Sequence, residues 1–198
     1  MRFKTAFISV FALGLMATNN FAQEKFDIDV THSNVNFTVR HMVVSKVTGG
    51  FKEFSGAILY DEKDLSKSSV NVTIKTASIN TQNERRDTHL RSADFFDAEN
   101  NPDITFVSKK IEKRNGEYVA IGDLTMRGVT KEIELPFTIL GTRKTQQGSI
   151  MGIEAKTTVN RFDYGVKWDR ALDDGSLVVG KDVDITLTVE AKTPSKTQ

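Results

Sequence analysis

Apolar and polar residues alternate with a period of two along most of the chain. Val35, Phe37 and Val39 alternate with Asn36, Thr38 and Arg40, and Val70, Val72 and Ile74 with Asn71, Thr73 and Lys75. The same phase recurs in Ile133, Leu135, Phe137 and Ile139, and again in Ile185, Leu187 and Val189. Successive side chains of a strand point to opposite faces, so this pattern predicts strands with one apolar and one polar face. Further strands fit residues 26–30, 51–60, 104–111, 118–126 and 150–159. Turn chemistry separates them at Gly49-Gly50, Asn115-Gly116, Gly141 and Asp174-Gly175, of which Asn-Gly is the strongest two-residue hairpin signal.

About eight long strands with a single apolar face predict an all-β fold, and a closed antiparallel eight-stranded barrel more than a flat sheet, because closure removes free edges. A β-sandwich is the alternative. An eight-stranded barrel is wide enough either to fill with side chains or to hold one small ligand. One segment, 80–96, breaks the pattern: it reads N-T-Q-N-E-R-R-D-T-H-L-R-S-A-D-F-F and is far longer than a hairpin loop. Residues 83–93 are the one helix candidate, with Asn83 as its cap, and the economical place for a short helix is across one end of the barrel. A second distinctive segment, 122–130, reads G-D-L-T-M-R-G-V-T.

The first residues change the compartment. Arg2 and Lys4 precede an apolar run to Ala17, followed by a more polar stretch ending in Ala22. That order predicts a secretory signal peptide at 1–22, and the run is too short to span a bilayer. Residues 23–193 then form one domain and 194–198 a frayed tail. Removing 1–22 lowers the formal charge by two, from +1 to −1, and leaves 176 of the 198 residues. A near-neutral chain with no basic block argues against nucleic acid and against an anionic membrane surface. With no cysteine, an exported fold stands on its core alone, and thiolate chemistry and Cys-zinc sites are excluded.

Candidate chemistry is sparse. His32, His41 and His89 show no metal-binding spacing, so no metal is expected. The acidic run 169–175 lacks the spacing of a calcium loop. Arg85, Arg86, Asp87, His89 and Arg91 form the densest polar cluster, either a polar mouth that grips a ligand head group or a network that fixes the helix onto the barrel rim. His89 with Asp87 or Asp94 is the one acid–base pair that can be drawn, and no nucleophile motif accompanies it. Nine phenylalanines follow residue 22, together with Trp168, mostly on the apolar strand phase. Core packing and the wall of a ligand channel ask for the same side chains.

Several stretches together resemble one family. They are D-V-T-H-S-N-V-N-F-T-V-R-H (29–41), G-G-F-K-E-F-S-G (49–56), A-S-I-N-T-Q-N-E-R-R-D-T-H-L-R-S-A-D-F-F-D (77–97), P-D-I-T-F-V-S (102–108) and G-D-L-T-M-R-G-V-T (122–130). By these the chain resembles the YceI-like family of exported polyisoprenoid-binding proteins. The resemblance implies a lipocalin-like barrel in the periplasm that is not an enzyme. Its one ligand would be a long isoprenoid lipid, a prenyl quinone or polyprenyl phosphate, or another long-chain amphiphile. No cofactor beyond that lipid or quinone is implied, and relatives of this type can pair as homodimers. On this reading Phe37, Val39, Phe51, Phe54, Leu90, Phe95, Phe96, Phe106, Leu124, Phe137 and Phe162 include the tail contacts. Arg86, His89 and Arg91 would face the head group. A packed barrel without lipid and an isoprenoid-modifying enzyme are the competing classes.

Overall fold

The structure is a computed structural model and describes residues 23–194, so the expected signal segment and the last four residues of the tail lie outside the described residues. Eight antiparallel strands follow one another around a closed ring. They are β1 (Glu24–Ile28, continued by Asn34–His41), β2 (Ser45–Phe51, continued by Phe54–Tyr60), β3 (Ser69–Lys75, continued by Ile79–Asn80), β4 (Asp103–Arg114), β5 (Glu117–Met126), β6 (Val129–Thr145), β7 (Gly148–Asn160) and β8 (Val179–Lys192). Each strand pairs with the next, and β8 returns to β1 through Val183↔Val39 and Ala191↔Ile28. The sheet closes on itself, which excludes the sandwich alternative, although residues 45–49 and 79–80 pair on one side only.

The expected strand at 26–30 stops at Ile28, where a 3₁₀ turn at Val30–His32 interrupts β1. Asp29 caps that turn by accepting from the Thr31 amide at 3.0 Å.

Two of the expected turns are corrected. Gly49 and Gly50 lie inside β2, paired with Phe37 and Asn36 across β1. A Cβ on Gly49 would stand 2.7 Å from the Phe37 ring and from the Thr81 methyl, so glycine is there to admit an aromatic ring, not to turn the chain. Gly141 lies inside β6 beside a register shift. The turn that joins β1 to β2 is instead Met42-Val43, with φ of 50° and 66°. Asn115-Gly116 does form the tight hairpin its sequence predicts, with φ of 51° and 92°.

Up-and-down connectivity sorts the connections into two ends. At one lie the β2–β3, β4–β5 and β6–β7 connections, residues 61–68, 115–116 and 146–147. At the other lie 42–44 and 127–128 together with the two long connections, 81–102 and 161–178. The single α-helix among the described residues, α1 (Glu84–Arg91), sits in the first of these, and the Asn83 side chain caps it by accepting from the Arg86 amide at 3.0 Å. The short-turn end is plugged by Phe26, Ile58, Met151 and Ala191, all fully or almost fully buried. A second buried cluster, including Ile104, Phe106, Leu124, Met126 and Phe95, runs toward the end with the long connections.

Candidate functional site

Strand phase puts one apolar set inside the ring. On β6 the inward positions are Ile133, Leu135 and Phe137, and on β8 they are Val183, Ile185, Leu187 and Val189. Their outward neighbours, Glu132, Glu134, Asp184 and Thr186 among them, are exposed. In a filled barrel the inward side chains would be buried. Here each of these seven keeps part of its surface uncovered, and so do Phe37 and Val39 on β1. The surface they show faces an internal cavity of about 230 Å³ walled by residues from every strand. Its wall is almost entirely aliphatic and aromatic, and the opposite wall, with Ile104, Phe106 and Leu124, is tightly packed.

Of the eleven lumen residues expected from the sequence, ten line this cavity: Phe37, Val39, Phe51, Phe54, Leu90, Phe95, Phe96, Phe106, Leu124 and Phe137. Phe51 bridges Phe37 and Phe96, with ring centroids 6.0 Å apart in both pairs. The eleventh is corrected. β7 ends at Asn160, whose side chain accepts from the Phe162 amide at 3.0 Å and starts a 3₁₀ turn, Arg161–Tyr164. The turn breaks the two-residue phase. Phe162 swings off the cavity wall, with the guanidinium of Arg161 4.6 Å from its ring centre and the ammonium of Lys181 5.5 Å from it.

Arg161 takes the inward place, and sequence reasoning missed it. Only 4% exposed, it lies on the cavity wall. Its guanidinium donates to four carbonyls, those of Val166, Trp168, Val179 and Gly180, at 2.7–2.9 Å. Among the described residues no carboxylate forms an ion pair with it. Burial pushes its pKa down, and the more distant charge of Asp169 opposes that shift. The signal available in the sequence was the Asn160-Arg161 step at the end of a strand, where a cap residue announces that alternation stops.

The polar cluster on α1 is divided. Asp87, 2% exposed, accepts from both the amide and the hydroxyl of Thr81. Arg86 donates to the same hydroxyl at 2.7 Å and to the Thr81 carbonyl at 2.9 Å. This part fixes the helix to the chain entering it. Arg91 reaches along the helix to Glu84 at 2.8 Å, and His89 Nε2 lies 2.9 Å from Asp94. None of Arg86, His89 and Arg91 lies on the cavity wall; Arg86 and His89 line a shallow depression on the outer side of the helix. His89 also stands edge-on to Phe95 and Trp168, which stack on each other at 5.4 Å.

The 122–130 motif acquires a role from its place. A Cβ on Gly122 would lie 2.4 Å from the Val107 carbonyl oxygen, beside the bulge in β4, so a larger residue cannot pass there. Leu124 and Met126 point inward, and the Thr125 and Thr130 hydroxyls meet at 2.8 Å. Arg127, in the turn, donates to Ala93 O at 2.7 Å and to Gly165 O, clamping both long connections over the same end of the barrel.

One further cluster was not expected. His32 Nδ1 lies 2.9 Å from Asp29 and 3.8 Å from Glu190, a grouping of His32 with two carboxylates that its sequence spacing did not announce. Lys192 already places its own cation between these carboxylates, on Asp29 and on Glu190 at 3.0 Å. Among the described residues no helix is long and apolar enough to cross a membrane.

Comparison with known proteins agrees with this geometry. The YceI-like domain model matches residues 26–191. A UPF0312 protein of Staphylococcus epidermidis is 38% identical over 168 residues, covering 84% of this chain and 96% of that protein. A UPF0312 protein of Staphylococcus aureus is 36% identical over 167 residues, 83% of this chain and 95% of that one. Among solved structures, BcnA of Burkholderia cenocepacia superposes with a TM-score of 0.72 at 25% identity, covering 83% of this chain and 99% of that one. The YCEI protein of Campylobacter jejuni gives 0.66 at 31% identity, with 80% and 90% covered. A polyisoprenoid binding domain from Saccharophagus degradans shares the fold, with a TM-score of 0.63 at 17% identity over 87% of this chain and 99% of that domain. With the matched region spanning all eight strands of the barrel, the chain belongs to the YceI-like family.

Proposed function

We propose that this protein is an exported binding protein that holds a long-chain isoprenoid, of the prenyl quinone or polyprenyl phosphate type, in its barrel lumen. The observation that carries the reading is the unfilled interior: inward apolar side chains on β1, β6 and β8 that stay partly uncovered around one cavity. A barrel built only for stability gains by filling that space. The structurally similar Saccharophagus degradans domain is a polyisoprenoid binding domain, which points to the same ligand class. Export to the periplasm rests on the order of residues in 1–22.

The mechanism is burial. Each CH₂ taken from water into the lumen is worth about 0.8 kcal/mol, roughly fourfold in Kd. Affinity therefore rises with chain length until the lumen is full. The polar end of the lipid lies toward the long connections, where Arg161 is, among the described residues, the one charged residue on the wall and is held by four carbonyls. Binding, not turnover, is the chemistry such a wall offers.

Trp168 is the single tryptophan and stacks on Phe95, a cavity residue, so it reports occupancy of that end. Titration with prenyl quinones of increasing length is expected to quench it, with Kd falling at each added isoprene unit before levelling off. Quinones that leave Trp168 unquenched, or a Kd indifferent to length, contradict the reading.

A further inference from the structure

Among the described residues, one site exposes three consecutive large apolar side chains: the β1–β2 tip, where Met42, Val43 and Val44 are 44%, 53% and 89% exposed. The fold does not ask for them. Both central residues of this turn hold positive φ, which favours Asn or Gly and is poorly suited to β-branched valine. The chain uses Asn115-Gly116 for the equivalent turn at the opposite end of the barrel. An apolar, strained and exposed turn points to a role outside the fold.

The charges beside it are of one sign on this hairpin. Arg40 and Lys46 are direct cross-strand partners just below the tip, and both are exposed. Neither enters an ion pair among the described residues. On β8 the carboxylate in register with β1 is Asp184, opposite Thr38, while Asp182 lies in the register shift between Val179 and Val183, and Asp173 and Asp174 lie on the neighbouring long connection. The tip projects from the same end as the long connections that cover the lumen.

We propose that this hairpin tip docks the protein, reversibly, on an anionic lipid bilayer. Met42, Val43 and Val44 enter the boundary between head groups and acyl chains, and Arg40 and Lys46 meet lipid phosphates. A second copy of the chain is the weaker occupant, since three side chains fall far short of the roughly 800 Å² per partner of a stable protein interface. The near-neutral net charge averages over the whole surface and excludes a broad basic face; it leaves room for a local one. Docking stands independently of the lumen's ligand, while its use, bringing the lumen opening to a membrane, rests on the lipid-binding reading.

The chain has no cysteine, so one introduced thiol can be labelled uniquely. Val44→Cys and, on the barrel wall, Val107→Cys would each carry an environment-sensitive dye, with no isoprenoid present. Vesicles of phosphatidylcholine with about one-third phosphatidylglycerol are expected to blue-shift the dye at 44 and leave it unmoved at 107. In flotation with the same vesicles, unlabelled V43D/V44D is expected to bind at least tenfold more weakly than wild type, at an unchanged Tm. R40Q/K46Q is expected to lose the preference over pure phosphatidylcholine. No shift at 44, an equal shift at both positions, or flotation unaffected by V43D/V44D overturns the proposal. A concentration-dependent dimer abolished by V43D/V44D overturns it in favour of a second copy. Because no isoprenoid is present, failure here leaves the quinone titration untouched.

Discussion

At the short-turn end of the barrel, Phe26, Ile58, Met151 and Ala191 close the ring with apolar contacts and almost no exposed surface. At the opposite end apolar contacts of Phe95, Tyr164 and Val166 are joined by polar pins. Arg127 clamps two long connections by their carbonyls, Arg161 gathers four more carbonyls, and Asp87 holds Thr81 at the entry to the helix. Between them the inward side chains of β6 and β8 are half-covered. Apolar packing is non-directional and costly to open, whereas a few charged hydrogen bonds on long loops can be released together. The difference marks the short-turn end as foundation and, on the proposed lipid-binding reading, the other as the end at which a ligand would enter.

The largest effect expected is at the foundation. Phe26→Ala should cost about 3–5 kcal/mol of stability in chemical denaturation, the usual loss for a large buried aromatic. It should leave ligand selectivity unchanged in protein that remains folded. An equally large loss from a lumen residue would erase the distinction.

Next come the polar pins. Asp87→Ala leaves the buried Thr81 amide and hydroxyl without their acceptor and should cost about 1–3 kcal/mol. Hydrogen exchange should show the protection lost in 81–98 first, with the strands opening only at the global rate. Loss spread evenly over the barrel would mean the two ends are one cooperative unit.

Leu187→Ala sharpens the contrast from the middle of the barrel. This side chain lines the cavity and is already partly uncovered, so stability should fall by less than about 2 kcal/mol, the low end for a buried leucine. Affinity for a long-chain quinone should fall several-fold, read by Trp168 quenching. A large loss of stability with unchanged affinity would identify Leu187 as core.

The smallest effect is electrostatic. Lys192 and then His32 hold the Asp29 carboxyl well below the usual carboxylate range. A depressed folded pKa stabilises the fold above the unfolded value of about 4, and that contribution is lost as pH falls below it. Asp29→Asn should therefore narrow the difference between the urea midpoints at about pH 3 and about pH 6. Because Asp29 sits at the kink where β1 changes register against β8, no change there would mean that the seam does not depend on this ion pair.

Much of this was legible in the sequence because strand phase is a local, repeated signal. Phe37, Phe51, Phe106 and Phe137 could be placed on the inner face from alternation alone, and Asn83 announced the helix. Phe162 could not be placed, because one capped turn after Asn160 exchanged it with Arg161. Gly49-Gly50 read as a turn because glycine serves two purposes, and only the proximity of Phe37 and Thr81 shows which applies. The polar cluster stayed divided for a related reason: the partners of Asp87 and Arg86 depend on how residues 80–83 fold back, which spacing does not encode.

The central claim, that the interior is a ligand cavity and not unfinished core, is tested most directly by native mass spectrometry. The protein would be exported from a host that makes isoprenoid quinones, purified without detergent, and exposed to added quinones of several chain lengths. The account predicts a one-to-one complex with a long-chain quinone, either carried through purification or formed on addition, and preference for longer chains. A protein that emerges bare and takes up none of them contradicts it.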